Sequence, residues 1–424
     1  MGSDDIASGS FKPENTWDYT SYPDRGYLDE DNIKEDRLKN IYDSLMENKI
    51  MNQPISVKIE QSENLIKVFS DTDCIEIYNV SDYKANLNKS DFAAWLFLPI
   101  AMSLGRDIVV DGVGSFETVK NFRILSEIWE SWDLDRFSSV DVSFKKNEDY
   151  VTKNEGKSLA FYSGGVDSTY SLLKQNSKKD ALLTVHGMDY RYNDDDRFEK
   201  LKRKTDSFAK LVGNDRIFVT SNVYDIYGKY KINTRQSHAS HIFALAGLSF
   251  LFSEQFNDIV ISSDYRLDQQ YLVHPWGSNS ATNKYFSDGC TKLITLDDDV
   301  TRSEKLPLLV NNEIALHSLS FCVDYSHRPE NCGVCSKCMR TKLMFQAVCG
   351  YIPDVFKDKS LDEQSIKCIK LKKNSEVVFF LDLYNQAKKY NRLGDIPKLQ
   401  EQYLKLKTKK KIDSIKLKLK NLFS

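Results

Sequence analysis

Apolar and polar positions alternate in "ISVKIE", "LIKVFS" and "CIEIYNV", with "SEN" and "SDTD" as turns, which predicts two or three strands of a meander from Pro54 onward. An almost wholly apolar stretch follows, "FAAWLFLPIAMSLG" (Phe92–Gly105), flanked by Asp91 and Arg106. It is too short for a membrane span and contains Pro99, so a buried helix is expected. "DIVVDG" then reads as a strand. "SFETVKNFRILSEIWESW" reads as a helix with Phe116, Val119, Leu125, Ile128 and Trp132 at helical spacing, and "SVDVSF" as a closing strand.

After the polar linker "KKNEDYVTKNEGK" the rhythm changes. "SLAFY", "ALLTVHG", "DRIFVTS" and "NDIVISS" are short, continuous apolar strands. They alternate with a helix after Tyr162, a charged helix from about Asp195 to Val212, and the apolar helix "ASHIFALAGLSFLF". That alternation predicts an α/β fold with a parallel sheet covered on both faces, whose ligands bind at the carboxyl ends of strands. Four segments are expected: a leader without order of its own (1–30), an N-terminal α+β domain (31–150), the parallel-sheet domain (156–350) and a helical C-terminal region (351–424). The last of these ends in a basic amphipathic helix, with Ile412, Ile415, Leu419 and Leu422 on one face and lysines elsewhere.

Composition narrows the classes. The 424 residues, 41% hydrophobic and 12% aromatic, fill two or three domain cores. A formal charge of −2 provides no global cationic field, so nucleic acid is not implied by charge. The N-terminal "MGSDDIASGS" has neither a positive nor an apolar region of a secretory signal. With eight cysteines, three of them packed as "CGVCSKC", this points to metal or catalytic chemistry in the reducing cytoplasm.

The chemistry begins where "LAFYSGGVDSTYSLLK" interrupts an apolar strand. Gly164 and Gly165 permit a sharp turn and close approach to a ligand, and the helix that follows presents unpaired N–H groups. Ser163 and Ser168 add hydroxyls beside Val166, so the loop reads as an anion site. A carboxylate in such a loop would repel phosphate unless a cation lay between them, so Asp167 points to Mg²⁺. No Walker pattern is present. The string resembles the SGGxDS loop of the PP-loop ATP pyrophosphatase superfamily. That resemblance implies an adenine nucleotide alpha hydrolase-like (HUP, Rossmann-like) domain, cleavage of ATP between its α and β phosphates, and pyrophosphate held by residues 163–168.

"FCVDYSHRPENCGVCSKCMRTKLMF" carries Cys322, Cys332, Cys335 and Cys338, four soft ligands suited to a closed Zn²⁺ site or an iron–sulfur cluster. His327 lies within the same loop. A PP-loop followed after four strands by this cysteine pattern resembles 7-cyano-7-deazaguanine synthase, over about residues 158–345. That family adenylates a carboxylate and delivers ammonia to it, with a four-cysteine zinc site. Here "HGMDYRYNDDD" departs from that family's segment after the second strand. "HPWGSNSATNKYFSDG" followed by "TRSEKL" looks more like a group of PP-loop proteins of similar length that share the cysteines.

Arg302 and Lys305 stand near the start of a helix after "KLITL", where the deazaguanine family carries a Thr-Lys pair, and Arg302 matches the lysine's place. A cation there would stabilise phosphate charge. His186 and Asp189 follow the second strand, where adenine or substrate would lie. His238 opens the helix after the third strand, and Ser263 and Asp264 end the fourth. Trp276 is a stacking wall or core. The expected function is ATP-dependent adenylation of a small carboxylate or amide, captured by ammonia or an amine, with ATP, Mg²⁺ and Zn²⁺ as cofactors. Thiolation through an adenylate and nucleotide sensing without turnover are the competing expectations. RNA contact, attachment of the tail to an anionic membrane and a homodimer stay open.

Overall fold

The computed structural model describes residues 53–423 apart from 80, 152–155, 176–179, 233–239, 274, 364, 370 and 372. The expected leader, the start of the N-terminal unit and His238 therefore lie outside the described residues. β1 (Ile55–Ser62), β2 (Leu65–Phe69) and β3 (Cys74–Asn79) form the antiparallel meander. β4 (Ile108–Ser115) pairs parallel with β1, and β5 (Val142–Glu148) parallel with β4. The second unit contributes β6 (Ser158–Phe161), β7 (Ala181–His186), β8 (Asp215–Ser221), β9 (Asp258–Ser262) and β10 (Lys292–Leu296), all parallel. β3 then pairs antiparallel with β8, matching Tyr78 with Thr220, so both units share one ten-stranded sheet in the order β10-β9-β6-β7-β8-β3-β2-β1-β4-β5.

One core cluster runs across that junction. The apolar helix Asp91–Leu104 is buried from Asp91 to Met102 and lies against the helix His241–Phe250. Gly247 makes the approach possible: a Cβ there would stand 2.4 Å from Leu96 Cγ. Trp95 is fully buried with its ring 5.4 Å from Phe286 and 6.3 Å from Phe250. Asp91, the one charge of this segment, accepts hydrogen bonds from Ser115 N (2.9 Å) and the Tyr150 hydroxyl (2.7 Å) at the helix N-terminus, where the dipole favours an anion.

The helix Phe116–Trp132 forms as expected with Val119, Leu125, Ile128 and Trp132 packed on the core, but its most buried line lies to one side of them. Phe116 is 55% exposed, and the buried side carries Phe122, Leu125 and Trp129 together with Thr118, Asn121 and Ser126. The reason lies in its polar residues. Ser115 caps the helix by accepting from Thr118 N (2.9 Å), and Ser126 bonds the Val140 carbonyl (3.0 Å), so polar side chains occupy inward positions that apolar periodicity does not register.

The C-terminal helix Leu399–Phe423 docks by Leu399, Tyr403 and Leu406. Tyr403 stacks on Tyr384 with ring centroids 3.7 Å apart. Ile412, on the face expected to be apolar, is 46% exposed, and the side chains of Ile415, Leu419 and Leu422 lie outside the described residues. Truncation after Gln400 is therefore expected to destabilise the fold by about 2–4 kcal/mol through loss of buried side chains. Truncation after Lys411 should cost no more than about 0.5 kcal/mol. Thermal unfolding of the two variants checks this, and equal melting temperatures would refute the docking face. Among the described residues no helix is long and apolar enough to cross a membrane.

Candidate active site

Chain order makes β6 a switch point: β7 and β8 continue the sheet on one side of it, β9 and β10 on the other. In open α/β sheets the crevice at such a point, outside the carboxyl ends of the strands, is where ligands bind. "SGGVDS" leaves β6 at that place and runs into the helix Val166–Gln175. A cavity of about 220 Å³ opens there, lined by Ser163, Gly165, Val166, Asp167 and Ser168 from the loop. Its floor is apolar, with Phe161, Leu183, Val185 and Ile261 from the sheet.

The two glycines of the loop do different jobs. Gly165 borders the cavity. Gly164 has φ +76° and faces the segment before the cysteines: its carbonyl accepts from Ser320 N (2.7 Å), and a Cβ would sit 2.9 Å from the Ser318 carbonyl oxygen. The loop is thus pinned from behind while the first-turn N–H groups of the helix remain without intrahelical partners.

Asp167, Arg302 and Lys305 come together as a buried charged cluster. Arg302 donates to both oxygens of Asp167 and, at 3.2 Å, to Asp264 Oδ1. Lys305 Nζ donates to Asp167 Oδ1 (2.9 Å) and to the Ser263 carbonyl (2.6 Å). Burial pushes the Asp167 carboxyl up, but Arg302 and Lys305 overcome it and hold it far below the usual carboxylate range. Arg302 is raised despite its burial, by Asp167 and then Asp264. Asp264 moves upward, through burial and then the charge of Asp167. The helix Arg302–Val310 that delivers both cations is fixed at its start. Thr301 N donates to Glu304 Oε2 (2.9 Å) and Ser303 N to the buried Asp382 (3.0 Å).

The other expected residues divide. Asp189 and Asp264 line the cavity. Ser263 serves through its backbone, and its hydroxyl is turned to the Tyr265 carbonyl (2.6 Å). Trp276 packs edge-on to Tyr265 at 5.6 Å, among core residues. His186 is wholly buried, stacked on Phe198 at 4.2 Å with Nδ1 near Thr220 Oγ1 (3.3 Å), and burial lowers its pKa. It is not among the cavity's lining residues. His241 and Lys337 are, and neither was anticipated. His241 hides in an apolar run, and Lys337 reads as a spacer inside the cysteine motif.

The four cysteines converge. The Sγ atoms of Cys322, Cys332, Cys335 and Cys338 all lie within 4.8 Å of one another, a group that can hold a metal ion. Cys322 and Cys335 are 3.8 Å apart, matching the sulfur separation of about 3.8 Å that tetrahedral ligation at about 2.3 Å requires. Backbone N–H groups already point at the sulfurs: Cys335 N to Cys332 (3.2 Å) and Cys338 N to Cys335 (3.5 Å). Gly333, with φ +83°, lets the turn press on a neighbouring loop, since a Cβ there would be 2.0 Å from the Asp358 carbonyl oxygen. His327 pairs with Asp324 (3.2 Å) and is not one of the converging ligands.

The cysteine loop reaches the cavity. Arg328 Nε donates to the Cys322 carbonyl (2.7 Å), and its NH2 lies 3.7 Å from Asp189. The helix Ser336–Cys349, starting at the cluster, contributes Lys337 and Thr341 to the lining. No protein-family model, no curated protein and no solved structure matches the chain.

Proposed function

We propose that this chain is an ATP-dependent ligase of the PP-loop type, built on an adenine nucleotide alpha hydrolase-like sheet, that adenylates a small-molecule carboxylate and passes it to ammonia or an amine. The observation that carries the reading is the position of "SGGVDS" at the switch point with the Arg302 guanidinium against its acid. The first-turn N–H groups, Ser163 and Ser168 would cradle the β and γ phosphates, and Arg302 would meet charge developing on the departing pyrophosphate. Lys305, wholly buried, acts through Asp167 by holding it in register with Arg302.

The substrate carboxylate oxygen attacks the α-phosphorus in line, the bond to the bridging oxygen breaks, and pyrophosphate leaves. The amine then adds to the acyl carbon, loses a proton, and AMP departs. Both oxygens of Asp167 are already engaged, whereas Asp264 has a side chain 34% exposed beside the cavity, so Asp264 would be the chief holder of Mg²⁺. When bound, Mg²⁺ would neutralise phosphate charge. Zn²⁺ on the four cysteines would have no open position and would serve structure.

The test is to incubate the protein with ATP, Mg²⁺, ammonia and a metabolite extract, and to follow nucleotide products. AMP and pyrophosphate in equal amounts are expected, with a product whose mass differs from its acid by exchange of hydroxyl for amino. ADP as the nucleotide product would overturn the mechanism, and exchange of oxygen for sulfur would move the enzyme to thiolation.

A further inference from the structure

The basic helix Leu399–Phe423 takes no part in the adenylation reading, and only its first turns are occupied by the body. Leu399, Tyr403 and Leu406 form the docked line, with Tyr403 stacked on Tyr384 of the helix Asn374–Lys389. That line ends at Leu406 among the described side chains. Every residue from Lys407 to Ile412 is exposed.

A second apolar line runs along the opposite side. At about 100° per residue, Leu404 and Ile412 stand roughly 130° or more around the helix from the centre of the docked line. They are 54% and 46% exposed. By spacing, Ile415, Leu419 and Leu422 continue this outer line, whereas Leu417 falls on the inner one. Lysines border the outer line on both sides, Lys407 and Lys411 on one and Lys405 and Lys409 on the other. Asp413 is the single acid between Gln402 and Ser424, against eight lysines. Lys405 pairs with Glu401 (2.5 Å), while among the described residues Lys407, Lys409, Lys410 and Lys411 have no acidic partner.

This arrangement selects its occupant. A second copy packed line to line would set the bordering lysines against their equivalents, and RNA would pair with the lysines but leave Leu404 and Ile412 in water. A bilayer with anionic headgroups satisfies both. Its acyl boundary takes the apolar line, and the lysine stems lie along that boundary with their ammonium groups among the phosphates. Each lysine held near such a surface strengthens partition by about fivefold.

We propose that the helix Leu399–Phe423 docks this protein on an anionic lipid surface, lying in the headgroup plane with its outer line in the bilayer and its inner line on the protein body. It lies on the membrane and does not span it, since lysines recur along its length.

Sedimentation of the full-length protein with vesicles tests this, using phosphatidylcholine alone and phosphatidylcholine with about a third phosphatidylglycerol. Wild type is expected to bind the anionic vesicles about a hundredfold more tightly than the neutral ones, and to be released as salt rises. Lys407→Gln combined with Lys409→Gln, Lys410→Gln and Lys411→Gln should weaken that binding by about a hundredfold or more. Leu404→Ser with Ile412→Ser should weaken it by about tenfold. All six positions are exposed, so both variants should melt with wild type. Truncation after Lys411, which keeps the docked line, should remove most of the binding. Wild type that ignores anionic vesicles would overturn the proposal. Binding unchanged by Leu404→Ser with Ile412→Ser would leave a polycation with no inserting face, and would overturn it too. A dimer that dissociates in that same variant, or tighter binding to single-stranded RNA than to anionic vesicles, would give the surface to a second copy or to RNA in place of lipid.

Discussion

Asp167→Asn is expected to reduce formation of AMP and pyrophosphate by about a hundredfold or more, the size of loss that follows removal of a preorganised electrostatic group. It should also destabilise the fold. Lys305 is wholly buried and, among the described residues, donates to Asp167 and the Ser263 carbonyl, so the amide takes away the carboxylate that its charge is bonded to. Breaking one side of a buried pair costs about 3–5 kcal/mol. The two losses can be separated. Asp167→Asn combined with Lys305→Met removes both charges and should recover much of the stability, since the pair is coupled, while turnover stays low. The acid limb of wild-type stability points the same way. A carboxyl held below its unfolded value stabilises fully above about pH 4, and that contribution fades as pH falls through the folded value. Full activity in Asp167→Asn would sink the adenylation mechanism.

Cys335→Ser is expected to release the metal and to lower solubility and melting temperature before any cavity residue changes. Structural zinc contributes on the order of 10 kcal/mol to folding of small sites, more than the whole stability of many domains. Here the cluster lies within the C-terminal core: Cys322, Cys332 and Cys338 are buried against the same residues that support the helix Ser336–Cys349. Elemental analysis of wild type should find one zinc per chain, and the variant none. Iron with visible absorption, or a variant as stable as wild type, would refute a closed zinc site.

Much of the second unit was legible because its strands are continuous apolar runs and its helices begin at recognisable turns. The helix Asp195–Val212 appears at its expected bounds, and Cys322, Cys332, Cys335 and Cys338 converge as their spacing implies. What could not be read was long-range. The pairing of Tyr78 with Thr220 joins residues far apart in the chain, and nothing in either strand names its partner. Phe122 and Trp129 went unrecognised because Asn121 and Ser126 occupy inward positions and blur the stripe. His186 ends a strand at the site's edge, yet its ring turns onto Phe198, a choice made by tertiary packing. Lys337 was hidden by the regularity of the motif around it.

The junction of β3 with β8 also bears on how the chain is made. The apolar helix Asp91–Leu104 leaves the ribosome about 150 residues ahead of its partner His241–Phe250, so at cellular elongation rates it waits on the order of ten seconds or more. During that interval Trp95, Phe97 and Leu98 have no cover from the second half, and the edge of β3 has no neighbour. The nascent N-terminal half is therefore a natural client for a holding chaperone until β8 has been synthesised.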